Sequence, residues 1–206
     1  MTSTIDPRIY LASRSPRRRE LLTQIGVRFD LLLFRLPPRD DAEVSEDWLA
    51  GETPDDYVVR VARAKAAFGA DLVGRRSIVA RPVLAADTTL DVDGTVVGKP
   101  RDAAEAEAVL ARLSGRTHRV LTAVAVARGE RVEHRVSASD VRFRTLGAEE
   151  IRRYVQSGEP MDKAGAYGIQ GRAAVFVEHI HGSHSGIVGL PLCETALLLR
   201  DFGLPL

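Results

Sequence analysis

Residues 82–100 read PVLAADTTLDVDGTVVGKP, and two signals in this stretch decide the architecture. Residues 82–86 form a nearly unbroken apolar run, as a strand buried on both faces requires, and the run ends on Asp87. Residues 89–98 then alternate around Asp93-Gly94, a dipeptide that turns one strand back on another. A buried central strand belongs to an α/β sheet covered by helices, and a hairpin beside it makes that sheet mixed.

The flanking sequence supplies the other layers. Residues 9–12 read as a short strand, followed by Ser15-Pro16 as the cap and first residue of a helix reaching about residue 25. Residues 29–34 are a second strand candidate, and residues 35–53 read as a long polar loop. Thr53-Pro54-Asp55-Asp56 opens a further helix, with acids against the positive end of its dipole. Residues 103–113 are helical, and 117–127 with 130–143 form two long strands around Arg128-Gly129. A helix over 148–157 is ended by Gly158. The glycine-rich loop EPMDKAGAYGIQG (159–171) leads into a strand AAVFVEHI (173–180), and 192–202 closes as a helix. No repeat or low-complexity linker interrupts this order, so residues 1–206 read as one domain, with room for two lobes around a cleft.

The bulk numbers exclude several classes. A chain of 206 residues can bury about 70% of its unfolded surface. With 45% apolar and 28% charged residues it has an ordinary globular composition, and a net charge of +1 argues against a nucleic-acid binder. Any anion site must therefore be local. The single cysteine, Cys193, allows no internal disulfide and reads as a small buried thiol on a helix. MTSTIDPRIY carries no signal-peptide pattern, and runs such as FDLLLF are too short to cross a bilayer. A reducing cytoplasm is the default location.

Charge sits on the wrong face of two helices. At about 100° per residue, Arg18 falls between Leu21 and Leu22 and above Ile25, with Arg17 at the edge of that stripe. A helix N-terminus already carries partial positive charge, so these arginines either snorkel or share an anion there. Lys65 repeats the anomaly in the stripe of Val58, Val61 and Phe68, where a lysine must snorkel or meet a counter-charge. Two such helices suggest a common anion.

Asp87 is the matching acid. The apolar run delivers it at its carboxyl end, where ligand crevices of open α/β sheets lie. There it either caps the following turn, accepts a proton from water or holds a metal ion. Asp91 and Asp93 read as hairpin residues, and Lys99 stands just beyond them between Gly98 and Pro100. The segment SGEPMDKAGAYGIQG gathers four glycines (Gly158, Gly165, Gly168, Gly171) around Asp162, Lys163 and Gln170, whose amide both donates and accepts. His179, His181 and His184 superficially suggest a metal site, but only Glu178 is adjacent; His118 and His134 fit structural roles in strands.

These pieces, in this order, resemble the Maf family of nucleoside triphosphate pyrophosphatases over nearly the whole chain. LASRSPRRRELL resembles the family's opening motif, RVARAKA its helix lysine motif, and AADTTLDVDGTVVGKP its central acid and following lysine. SGEPMDKAGAYGIQGRAAVFVEHIHGS and GIVGLPLCET resemble its two late motifs. The resemblance implies an elongated mixed sheet flanked by helices around a central nucleotide-binding cleft, related to inosine triphosphate pyrophosphatase-like folds. It implies cleavage of a nucleoside triphosphate between its α- and β-phosphates. Asp87 would accept the proton of the attacking water; Arg17, Thr88 and Gln170 match positions of substrate choice. Arg18, Lys65, Lys99 and Lys163 would hold phosphates, with Ser13 in the same cradle. A divalent cation, Mg²⁺ or Mn²⁺, would be held by Asp87 and by Glu43, the match to an early family acid.

Asp-Thr paired with Gly-Ile-Gln-Gly resembles the branch acting on dTTP, UTP and modified pyrimidine triphosphates, and the family is often dimeric. The resemblance leaves two alternatives: another nucleotide such as 7-methyl-GTP, or a nonenzymatic nucleotide-binding regulator of cell division.

Overall fold

The structure, a computed structural model, describes residues 8–34 and 44–205. Glu43 lies outside the described residues. Seven strands, β1 (Ile9–Leu11), β2 (Phe29–Leu31), β3 (Val83–Val92), β4 (Thr95–Val97), β5 (Thr117–Arg128), β6 (Arg131–Phe143) and β7 (Val177–His181), form one mixed sheet. Its order is β2-β1-β3-β5-β6-β7, with β4 pairing β3 beyond the end of β1. The helices are α1 (Pro16–Gln24), α2 (Pro54–Arg75), α3 (Ala103–Leu113), α4 (Ala148–Gln156), α5 (His184–Val188) and α6 (Leu192–Asp201). Among the described residues no helix is long and apolar enough to cross a membrane.

Period-two alternation along β3 sorts the core. Val83 and Ala85 pack on one face with Val58, Val61 and Ala62 of α2. Leu84 and Ala86 pack on the other with Leu21 and Leu22 of α1 and Leu198 and Leu199 of α6. Farther along, Leu90 and Val92 join Leu110, Leu113, Phe143, Tyr154 and Phe176 in a third cluster. The caps are those the sequence announces: Ser15 accepts from the Arg18 amide and Thr53 from that of Asp56.

Three expectations are corrected. Asp87 is not at a strand end but in the middle of β3, because β5 pairs with β3 continuously from Val83 to Asp91 and carries the strand past it. The edge toward β1 does stop: β1 reaches only Leu84, and β4 begins only at Leu90. A strand-free gap at residues 85–89 on this edge replaces the expected carboxyl end. Next, AAVF is not extended. Arg172–Phe176 is a 3₁₀ segment, because β6 ends at Phe143 and leaves no ladder before Val177. Finally, Cys193 is exposed, since the buried stripe of α6 runs through Thr195, Leu198 and Leu199. The second strand is also shorter than expected, and the one-turn α5 is absent from the sequence reading.

Gly165 joins the late loop to this frame. Its φ is +70°, and a Cβ there would lie 2.1 Å from Leu90 Cδ2. Gly165→Ala is expected to cost about 2 kcal/mol through overpacking and left-handed strain. Gly74→Ala, in exposed helix with nothing within 4 Å of the new methyl, is expected to gain about 0.5–1 kcal/mol. Urea midpoints moving in opposite directions would bear this out, and an unchanged midpoint for Gly165→Ala would refute it.

Candidate active site

Because consecutive strand residues point to opposite faces, Asp87 emerges on the α2 side of β3 and Thr88 on the α1 side. Each meets the misplaced cation of its own helix. Lys65 Nζ lies 2.8 Å from Asp87 Oδ1, and Arg18 Nη2 donates to Thr88 Oγ1 at 3.4 Å. The strand-free gap leaves both residues facing a cleft of about 950 Å³, within the size range of small-molecule sites. The two helical anomalies are therefore one feature, seen from both sides of a strand.

Lys65 has a second partner, Glu46, at 2.6 Å. The sequence reading does not single out Glu46; the acid it names, Glu43, lies outside the described residues. The position of Glu46 depends on α2. The Tyr57 hydroxyl donates to the Glu46 carbonyl at 3.0 Å, and Arg60 donates to the carbonyls of Ser45 and Asp47 while gripping the Glu52 carboxylate at 2.5 and 2.9 Å. Tyr57 and Arg60, about two turns and one turn before Lys65 on α2, are what dock the preceding segment here.

The three ionisable groups are pulled in different directions. Asp87 is only 7% exposed, and burial pushes its carboxyl above the usual range even though Lys65 and Arg18 pull it down. Burial also pushes Glu46 up, but Lys65, then Lys99 and Arg18, outweigh it and hold Glu46 low. Burial lowers Arg18; Asp87 opposes this and the neighbouring Arg17 adds to it. A buried guanidinium with its charged form disfavoured gains from an added anion.

The remaining sequence candidates converge on the same cleft. Ser13 Oγ accepts from Arg18 Nη1 at 3.3 Å, and Arg18 Nε donates to the Gly189 carbonyl at 2.8 Å. Arg17 faces Asp162 at 4.0 Å. Lys163 Nζ donates to the Glu159 carbonyl and the Asp162 carboxylate, both at 2.6 Å. Its stem crosses Gly168 so closely that a Cβ there would come within 2.7 Å of it. Lys99 and Gln170 line the cleft with exposed side chains. Among the described residues six basic and four acidic side chains line it, a local positive excess on a chain of net charge +1. Among the described residues no group of three His, Cys, Asp or Glu could hold a metal ion.

A cleft of this charge and size accommodates a polyphosphate, with one buried carboxylate on its floor. The family model described as Maf-like protein matches residues 8–202. The chain is 60% identical over 203 residues to a protein of Aromatoleum aromaticum named dTTP/UTP pyrophosphatase, covering 98% of each chain. It is 59% identical over 196 residues to one of the same name from Dechloromonas aromatica, covering 95% of this chain and 98% of the relative. Among solved structures, the Staphylococcus aureus Ham1 protein overlays with a TM-score of 0.45 at 15% identity, covering 95% of this chain and 98% of that one. The strand order, not this overlay, defines the fold.

The upward shift of Asp87 has a definite consequence for stability. A carboxyl whose folded pKa exceeds its unfolded one costs nothing while both states are protonated. The cost grows as pH rises from the unfolded value through the folded one. Asp87→Asn removes that cost, so its stability relative to the parent should improve as pH is raised from about 3 to 7. Denaturant unfolding of both proteins across this range measures it; a difference that is flat or worsens with pH would reverse the assigned sign.

Proposed function

This chain belongs to the Maf-like protein family, and we propose that it hydrolyses dTTP and UTP to the nucleoside monophosphate and pyrophosphate. The observation that carries the reading is the pairing of one buried carboxylate, Asp87, with cations arriving from both faces of its strand. The relatives' name supports the substrate class.

Water attacks the α-phosphorus and gives its proton to Asp87. The bond from that phosphorus to the oxygen bridging to the β-phosphate breaks, and the electron pair leaves with pyrophosphate. Asp87 suits this task because it is ionisable, on the cleft floor, and held above the usual carboxylate range by burial. Arg18, Lys65, Lys99 and Lys163 bind the phosphate oxygens, with Ser13 beside Arg18. Arg17, Thr88 and Gln170 contact the nucleoside end, where the Gln170 amide can donate to O4 and accept from N3–H of uracil or thymine.

A divalent cation fits the donors present. Asp87 and Glu46 are hard oxygen ligands brought to one lysine nitrogen, and Mg²⁺ commonly takes one or two carboxylates with the substrate phosphates. These two residues would hold Mg²⁺ or Mn²⁺, which supplies neutralisation of the triphosphate and polarisation of the phosphorus. Nucleoside triphosphates as substrates fit a reaction in the cytoplasm.

Incubation with Mg²⁺ or Mn²⁺ across a triphosphate panel is expected to release pyrophosphate preferentially from dTTP and UTP. Asp87→Asn should lower turnover by about 10²-fold or more while the nucleotide still binds. Release from purine triphosphates alone, or an Asp87→Asn variant with full turnover, would defeat this reading.

A further inference from the structure

Thr122 lies at the middle of β5, directly across from Thr88, and is 0% exposed. Its hydroxyl donates to the Gly186 carbonyl at 2.8 Å, and its oxygen lies 3.0 Å from Thr88 Oγ1. A threonine hydroxyl has one proton and two lone pairs. A carbonyl only accepts, so the Thr122 proton is committed to Gly186, and in the contact between the two hydroxyls Thr88 must be the donor. On its other side Thr88 receives Arg18 Nη2 at 3.4 Å, and a guanidinium only donates. The chain therefore has one sense: Arg18 to Thr88 to Thr122 to Gly186. Every proton in it is placed without appeal to a ligand.

The result constrains what Thr88 can do in the cleft that it lines. Its proton is turned inward and one lone pair accepts from Arg18, which leaves one lone pair for a ligand. We infer that Thr122 is a positioning residue that makes Thr88 an acceptor only, so that the substrate group read at Thr88 is an N–H or O–H donor of the nucleoside and never a phosphate oxygen or a carbonyl. The inference rests on the pyrimidine triphosphatase reading for the identity of the substrate, but the hydrogen-bond sense rests on the four groups alone. Two donors shared by dTTP and UTP have this chemistry, the imino N3–H of the base and the 3′-hydroxyl of the sugar; if Thr88 takes N3–H, Gln170 is left to donate to O4. Cytosine replaces the first with a lone pair; a 3′-deoxy sugar lacks the second.

Thr122→Val removes the acceptor for the Thr88 proton while keeping the branched shape. The Gly186 carbonyl keeps a second donor, the Gly189 amide at 3.0 Å, so the substitution strands no buried acceptor. With its proton free, Thr88 can serve acceptors as well as donors, and discrimination weakens.

The test compares kcat/KM for two substrate pairs, UTP against CTP and dTTP against its 3′-deoxy analogue, in the parent, Thr122→Val and Thr122→Ser. The parent should favour the donor-bearing member of one pair. Thr122→Val should lower that preference about tenfold, the worth of one hydrogen bond, and Thr122→Ser should restore it. The pair affected identifies whether base or sugar is read. A folded Thr122→Val protein with both ratios unchanged, or a parent indifferent in both pairs, overturns the inference. Absence of pyrophosphate release from every pyrimidine triphosphate would instead defeat the functional reading. In that case the hydroxyl proton of Thr88, expected in the NMR spectrum with a cross-peak to Thr122 and lost in Thr122→Val, still decides the sense of the chain. A parent spectrum in which that proton contacts the cleft and not Thr122 overturns it.

Discussion

Lys65 Nζ is held between Asp87 at 2.8 Å and Glu46 at 2.6 Å, and the rest of the site is arranged around that contact. Burying a lysine side chain to 16% exposure, or a carboxylate as deep as Asp87, is costly unless the charge meets a partner. Neither helix α2 nor strand β3 would tolerate its charged residue alone: removing one member of a buried pair typically costs about 3–5 kcal/mol. The pair survives because each residue sits on a face whose neighbouring positions are apolar and packed. Val58, Val61 and Ala62 fix α2 on the sheet, and Val83 and Ala85 fix β3 beneath it. Packing thus supplies the precision, and the ion pair is what that precision brings together.

The same geometry explains why the cleft opens where it does. A strand flanked on both edges along its whole length offers no room for a ligand. Here β1 departs after Leu84 as a parallel neighbour and β4 arrives at Leu90 as an antiparallel one, so residues 85–89 keep one edge free. The change from parallel to antiparallel pairing is what the hairpin at Asp93-Gly94 brings about: β3 turns back on itself instead of crossing over through a helix. The chain leaving β1, Ala12 to Ser15, then turns across the gap and delivers α1 with Arg17 and Arg18.

This also separates what was legible in the sequence from what was not. Arg18 and Lys65 could be singled out because helical period is local: a charge in an apolar stripe is visible within one turn. The convergence of Arg17, Arg18, Lys65, Asp87, Thr88, Lys99, Lys163 and Gln170 on one cleft followed from motif order, since nothing in their spacing specifies the sheet order that unites them. Glu46 was not legible, because its place is set by Arg60 and Tyr57 gripping backbone carbonyls, and carbonyls carry no sequence signature. Asp87 was put at a strand end because a charge after an apolar run looks like a terminus. It lies mid-strand because Lys65 compensates it from another element. The 3₁₀ segment before β7 was mistaken for strand for the converse reason: AAVF has β-forming residues, but β6 has already ended and no partner remains.

The distribution of partners among the cations shapes how the cleft meets an anion. Lys65 is matched by Glu46 and Asp87, and Lys163 and Arg17 share Asp162. Among the described residues the hydrogen-bond acceptors of the Arg18 guanidinium are neutral oxygens, those of Ser13, Thr88 and Gly189. Self-repulsion among clustered cations is therefore relieved in the free protein, while Arg18, offset by Asp87 and Glu46 without a direct ion pair, sits under a low-dielectric wall where its field on an incoming phosphate is strong. The two acids differ in what they can surrender. Asp162 has a side chain 71% exposed and can exchange its partners for water, whereas Asp87, 11% exposed by the same measure, has no water to turn to. A phosphate entering the cleft can thus replace Asp162 at Lys163 and Arg17 at little cost, but it cannot displace Asp87 from Lys65. The carboxylate therefore stays on the cleft floor beside Lys65, where a proton acceptor for water has to be.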